Sequence, residues 1–316
     1  MKQLKNYFRM INPFNNMEEM PTPFYVAKKI LAFLLLYFVV GSIAGEGVII
    51  GGLSLMGYDP LHGVMPSGEI LMLIQYYGFA FFALAAILYC RFVEKRSIKS
   101  MGFQKSIVDY LIGGMLAGIL IALIVLLCCI AGGMSYIGIG KDINFGFKFL
   151  VLGGFLIQGA AEEILCRGFL MSSLLKKVSA PWAIFISSTI FMLPHLASME
   201  AEPVFKILGI VNLYLVSILF SLLILCRSNI WISCGLHSVW NFILYGVLGL
   251  TLSGGEANTT GFLCFEVNGS NLINGGIYGV EASIITTAII GITVVVCYGG
   301  WKKKYDSTCD SYTIQA

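Results

Sequence analysis

Three short clusters of polar side chains interrupt otherwise apolar stretches of this sequence, and their residue types are those of proton transfer and charge stabilisation. The first is Ala161-Glu162-Glu163-Ile164-Leu165-Cys166-Arg167. Adjacent carboxylates in an apolar helix repel each other and resist desolvation, so one of them needs a counter-charge. Glu163 and Arg167 are four residues apart, share one helix face and can pair. Glu162 is turned by about 100° from Glu163 and has no counter-charge in the local sequence. Desolvation raises the proton affinity of such a carboxylate toward the range useful for a general base. The structural alternative is a Glu–Arg helix cap, with Arg167 reaching back toward the headgroups.

The second cluster is Phe191-Met192-Leu193-Pro194-His195. Pro194 cannot donate to the carbonyl of Ile190, so a kink is expected beside the histidine, with room for water. Phe191 lies four residues before His195 and can pack on its ring. A core histidine bonded to a backbone carbonyl is the plainer alternative. The third cluster is His237-Ser238-Val239-Trp240-Asn241. His237 and Asn241 project from one helix face and offer donors suited to a developing oxyanion. The same pair can hold a metal, or join two helices as polar glue.

The elements that must carry these residues are membrane helices. Of 316 residues, 58% are hydrophobic and 12% charged, against about 25% charged in soluble chains. These proportions exclude a soluble fold, a disordered chain and a nucleic-acid partner. The expected fold is all-α, a polytopic transmembrane bundle. Apolar runs of the length needed to cross a bilayer occur at about 30–53, 69–90, 110–131, 147–168, 181–198, 204–226, 230–250 and 277–299. This predicts a cytoplasmic segment at 1–29, a transmembrane domain at 30–300 with its core at about 147–250, and a cytoplasmic tail at 301–316. Eight spans with both termini in the cytoplasm put 17 of the 20 Lys and Arg residues on that side. Lys141, Lys148 and Lys206 fall on the other, with Asp59, Glu200, Glu202, Glu256 and Glu266. In this arrangement Glu162 lies about 8 Å, His237 about 10 Å and His195 about 20 Å from the cytoplasmic ends of their spans, depths compatible with one cavity.

The three clusters, in this order, resemble the CPBP family of intramembrane proteases. That family includes CAAX-prenyl endoproteases and bacterial bacteriocin-processing or self-immunity proteins. Its pattern is Glu-Glu-x-x-x-Arg, Phe-x-x-x-His and His-x-x-x-Asn, matched here by Glu162-Glu163…Arg167, Phe191…His195 and His237…Asn241. Arg167-Gly168-Phe169-Leu170, Pro181-Trp182 and the stretch Arg96–Phe103 also resemble the family, whereas Cys166 stands where an aromatic is usual. The resemblance implies an intramembrane endopeptidase acting on a membrane-associated peptide or protein: a CAAX-like tail, a leader or a signalling peptide. It further implies that Glu162 and His195 activate water, that His237 and Asn241 stabilise the oxyanion, and that Glu163 and Arg167 orient the site. The family has been described both with and without a metal. Glu162, His195 and His237 are the ligands if a divalent metal such as zinc is used, but no HExxH helix is present and the metal-free reading is favoured. The expected surroundings are membrane lipid, in a bacterial plasma membrane.

Two other readings compete. One is a non-catalytic self-immunity or peptide-binding membrane protein. The other is a proton-coupled transporter using Glu46, Glu162 and Glu281, against which stands the lack of an inverted repeat. Glu46 and Glu281 read as interfacial residues near the outer ends of the first and last spans. His62 reads as a loop residue, and the nine cysteines, without CxxC spacing, mostly as small hydrophobes. The triplets Asn258-Thr259-Thr260 and Asn268-Gly269-Ser270 read as chance glycosylation patterns in a polar loop.

Overall fold

The computed structural model describes residues 2–104, 106–141, 143–199, 201–254 and 261–313. Lys105, Glu200, Glu256 and the triplet Asn258-Thr259-Thr260 lie outside them. The described chain is mostly helical: α1 (Lys2–Ile11), α2 (Thr22–Leu55), α3 (Gly68–Val93), α4 (Val108–Ile130), α5 (Phe145–Leu174), α6 (Ala180–Ser198), α7 (Pro203–Arg227), α8 (231–247) and α9 (Ile284–Thr313). Six of these, α2, α3, α4, α5, α7 and α9, are long and apolar enough to cross a membrane. With so many such helices the chain is a multi-pass membrane protein.

Several boundaries differ from expectation, each for a physical reason. The first span begins at Thr22 rather than near residue 30. Lys28 and Lys29 lie inside the helix because both ammonium groups find partners there: Lys28 donates to the Asn15 side chain and the Met17 carbonyl, and Lys29 pairs with Glu94. The last span begins at Ile284 rather than 277, because Gly276 and Gly279 adopt positive φ and hold residues 276–282 in tight turns. The runs at 181–198 and 230–250 form helices α6 and α8, but neither is among the six. Serine, histidine and asparagine dilute the apolar content of α8, and Gly249 at positive φ follows its end. The all-α expectation needs one correction. Strands β1 (Met134–Ile139) and β2 (Leu263–Val267) pair antiparallel, linking two segments that the sequence presents as loops.

The chain divides into two compact units, residues 1–104 with 153–187 and residues 105–152 with 188–316. In the first, aromatic rings pack between helices: Tyr76 against Phe155 with centroids 4.6 Å apart, and Tyr89 against Phe169 at 5.2 Å. Glycines admit those rings, and a Cβ on Gly153 or Gly154 would strike Tyr77 or Tyr76. A buried ionic cluster sits beside them. Glu94 accepts from Lys29 and from Ser173 Oγ at 3.3 Å, and forms an ion pair with Arg96, whose Nε lies 2.6 Å away.

The second unit has a continuous apolar core from α4, α7, α8 and α9, including Leu120, Ile124, Leu219, Phe220, Leu236, Trp240 and Ile290. Its tightest crossing is α4 against α8. A Cβ on Gly113 would collide with the carbonyl oxygen of Ile232, and one on Gly235 with that of Tyr110. Small residues let two membrane helices approach to backbone contact. Because the obstacle is backbone, no rotamer change relieves it. Gly235→Val is therefore expected to destabilise the protein by about 1–3 kcal/mol in denaturant titrations in detergent. Gly51→Ala, in a helix with open space around it, is expected to be neutral or stabilising in the same titration. At one end of this unit Asp109 accepts from Arg227 Nε at 2.9 Å and from Asn229 at 2.6 Å, tying α4 to the chain after α7.

Candidate active site

Glu162 and Glu163 end the α-helical part of α5, and residues Ile164–Met171 continue as a π-helical turn. The two carboxylates have different surroundings. Glu163 and Arg167 form an ion pair at 2.8 Å with both side chains fully buried. The spacing of four that suggested this pair survives the change of helical pitch. Glu162 is half-buried, and its Oε1 accepts from Gln158 Nε2 at 2.6 Å. Gln158 has no place in the sequence motif; its only signal is an amide in an apolar run, one turn before the glutamate.

A π turn widens the helix and disturbs its backbone hydrogen bonding, and such turns recur at functional sites. Here side chains take up the carbonyls. Arg96 Nη2 donates to Gly168 O at 3.4 Å and Phe169 O at 3.3 Å, its Nη1 donates to Ser172 Oγ at 2.9 Å, and Ser172 Oγ donates to Gly168 O at 2.5 Å. Arg96 is in turn held by Glu94. A guanidinium fork is suited to this, because it reaches several acceptors from one rigid plane. The Glu94–Arg96 clamp thus braces the turn that follows the paired carboxylates.

The other two clusters fall in the second unit. The α6 helix continues through Pro194 as far as Ser198. His195 is half-buried, with Nδ1 3.0 Å from the Phe191 carbonyl. A carbonyl only accepts, so Nδ1 is the donor in this contact. His237 is buried, stacked on Phe220 with centroids 5.1 Å apart and planes 18° from parallel. Phe191 joins the two histidines: its ring lies 4.9 Å from that of His195 and 6.2 Å from that of His237. Asn241 is buried one turn after His237, and a π-helical turn at Phe242–Val247 follows at once. α5 therefore changes pitch directly after its paired glutamates, and α8 directly after Asn241.

The structure groups Glu162, Glu163 and Arg167 in the first unit, and His195, His237 and Asn241 in the second. Residues 144–243, less than half of the chain, match the family model Type II CAAX prenyl endopeptidase Rce1-like. This segment is an Rce1-like domain. All three polar clusters lie inside it. No curated protein matches the chain. The match is consistent with the CPBP resemblance and supports endopeptidase activity in general.

Several residues that shape the surroundings of the Rce1-like motifs went unseen in the sequence. Phe220 shows no signal at all, since nothing marks one apolar residue of α7 as the face for His237. Glu281, read from the sequence as interfacial, stands in a tight turn before α9 and accepts from Trp240 Nε1 at 3.0 Å and from Ser253 N at 2.6 Å. It therefore ties α8, one residue before Asn241, to the loop after it. Glu281→Leu leaves two donors without this acceptor and is expected to cost about 1–3 kcal/mol, read as a lowered unfolding midpoint. Glu46 is exposed on α2, and His62 pairs with Asp59 in an exposed turn. Within either unit, the described residues contain no group of three His, Cys, Asp or Glu side chains able to hold a metal. The eight described cysteines are free.

Proposed function

We propose that this protein is an intramembrane endopeptidase that hydrolyses a peptide bond in a membrane-associated peptide or protein, with Glu162 as the general base. The observation that carries the reading is the contrast between the two glutamates inside an Rce1-like domain. Glu163 is fully buried and paired with Arg167, whereas Glu162 is half-buried and held by a neutral amide. The guanidinium commits Glu163 to an orienting role, and Glu162 is the carboxylate this reading assigns to the water.

In this reading Glu162, with the Nε2 atom of His195, removes a proton from water as its oxygen adds to the scissile carbonyl. His237 and Asn241 donate to the oxyanion of the tetrahedral intermediate. Collapse of that intermediate breaks the C–N bond, and the proton held by Glu162 passes to the leaving amine. Glu163 and Arg167 orient the first cluster. The substrate classes are a CAAX-like tail, a leader peptide or a signalling peptide. The chemistry is assigned to side chains, and zinc held by Glu162, His195 and His237 is the competing form. Eight crossings, with α6 and α8 as the shorter two and both termini in the cytoplasm of a bacterium, complete the proposal.

The deciding experiment compares peptides from membranes and medium of host cells carrying the wild-type chain or Glu162→Ala at matched membrane abundance. A peptide that disappears while its longer precursor accumulates supports proteolysis and names the substrate. Identical peptidomes favour the non-catalytic immunity or binding reading. With the substrate in hand, cleavage by purified protein is expected to survive exhaustive treatment with 1,10-phenanthroline, and inhibition that added zinc relieves would reverse the metal-free assignment.

A further inference from the structure

The first eleven residues have no part in the proposed chemistry, yet they form a helix with a pronounced two-sided sequence. Apolar residues stand at Tyr7, Phe8 and Ile11, and a basic one at Arg9. This spacing sorts the two classes onto opposite sides of a helix. The structure fixes where α1 sits. Tyr7 stacks on Phe24, in the first turn of the α2 span, with centroids 5.2 Å apart. The connecting segment is pinned to the same level at three points. Tyr89, near the end of the α3 span, donates to the Pro13 carbonyl at 2.5 Å; Lys28 holds Asn15 and Met17; and Lys176 pairs with Glu18 at 2.6 Å. A helix tethered to the ends of two membrane spans lies at the headgroup level of that leaflet.

At this level the first unit presents exposed aromatic and basic side chains. Phe8 is 64% exposed, Phe14 72% and Phe92 69%, and Arg9, Arg91 and Lys95 are exposed beside them in the sequence. Aromatic rings standing free in water are unfavourable, but rings of this kind partition into the headgroup region while neighbouring cations meet lipid phosphates. The nearest acids do not cancel those cations, since Glu94 is buried against Lys29 and Arg96, and Glu18 is engaged by Lys176. Glu19 is exposed and remains as one opposing charge.

We propose that α1 is an interfacial helix that binds the surface of an anionic phospholipid bilayer, with Phe8 inserted toward the acyl chains and Arg9 on the phosphates. This is independent of the peptidase reading, because it uses none of the residues assigned to the reaction.

The test uses the full chain reconstituted in two bilayers, phosphatidylcholine alone and phosphatidylcholine with phosphatidylglycerol. p-Benzoylphenylalanine is placed at position 8 or, as the control on the opposite side of the helix, at position 6. Irradiation is expected to give lipid adducts from position 8 and few from position 6. Amide exchange in residues 2–11 is expected to be slower in the anionic bilayer, by on the order of fivefold per basic residue engaged. The difference should shrink in high salt and in Arg9→Glu. Adducts from position 8 that go to protein, or exchange that is equal in the two bilayers, would overturn the proposal.

Discussion

Glu162→Gln is expected to lower the cleavage rate of the precursor by about 10²–10⁴-fold, the range over which a positioned general base contributes. The substitution preserves size and still allows a hydrogen bond with Gln158, which holds the native carboxylate at 2.6 Å. What it removes is the ability to take a proton. The unfolding midpoint in detergent is therefore expected to stay within about 0.5 kcal/mol of wild type, as for substitutions outside the tightly packed core. Loss of cleavage together with loss of folding would reassign Glu162 to structure, and full activity would remove it from the mechanism. Gln158→Leu supplies an intermediate case. It leaves the base in place but removes a donor that orients it, and a partial loss of rate is the expected result.

The second large effect is on stability. Arg167→Met leaves the Glu163 carboxylate fully buried without its partner, and breaking a buried pair from one side costs about 3–5 kcal/mol. That is a large part of the stability of most folded proteins. The expected readout is a sharply lower unfolding midpoint and reduced yield in membranes. Arg167→Lys keeps the charge but loses the planar fork, so an intermediate loss is expected. Lys176 and Glu18 offer the contrast. Their pair is 36% and 42% exposed at the side chains, and solvent screens such pairs to little net value. The hydrogen bond from Lys176 holds the Glu18 carboxyl below its ordinary range. Its small contribution is thus complete above that range and fades as acid protonates the folded state. Lys176→Ala is expected to leave the neutral-pH midpoint nearly unchanged.

Much of the site was legible from local spacing. Glu163 with Arg167, Phe191 with His195, and His237 with Asn241 are each four residues apart, and a helix turns such residues to one side whatever surrounds it. The cost of polar groups in hydrocarbon made the same positions conspicuous. Less legible were the residues that brace them. Arg96 reaches Gly168 from 72 positions away, and Glu281 reaches Trp240 from 41. Neither contact has a periodic signature. The fifth and seventh apolar runs formed helices that are not among the six long and apolar enough to cross a membrane; the fifth is an apolar helix of shorter length.

By itself the sequence determined that this is a helical, multi-pass membrane protein, which residues are too polar for lipid, and which of them pair within one turn. These follow from transfer free energy and helix pitch, and both act over a few residues. The tertiary structure alone decided that strand 134–139 meets strand 263–267, that Gly113 and Gly235 let α4 and α8 touch at their backbones, that Phe220 rather than another ring lies on His237, and that the helices turn π after Glu163 and Asn241. Such choices depend on which surfaces fit across segments far apart in the chain, and a one-dimensional pattern carries no term for that fit.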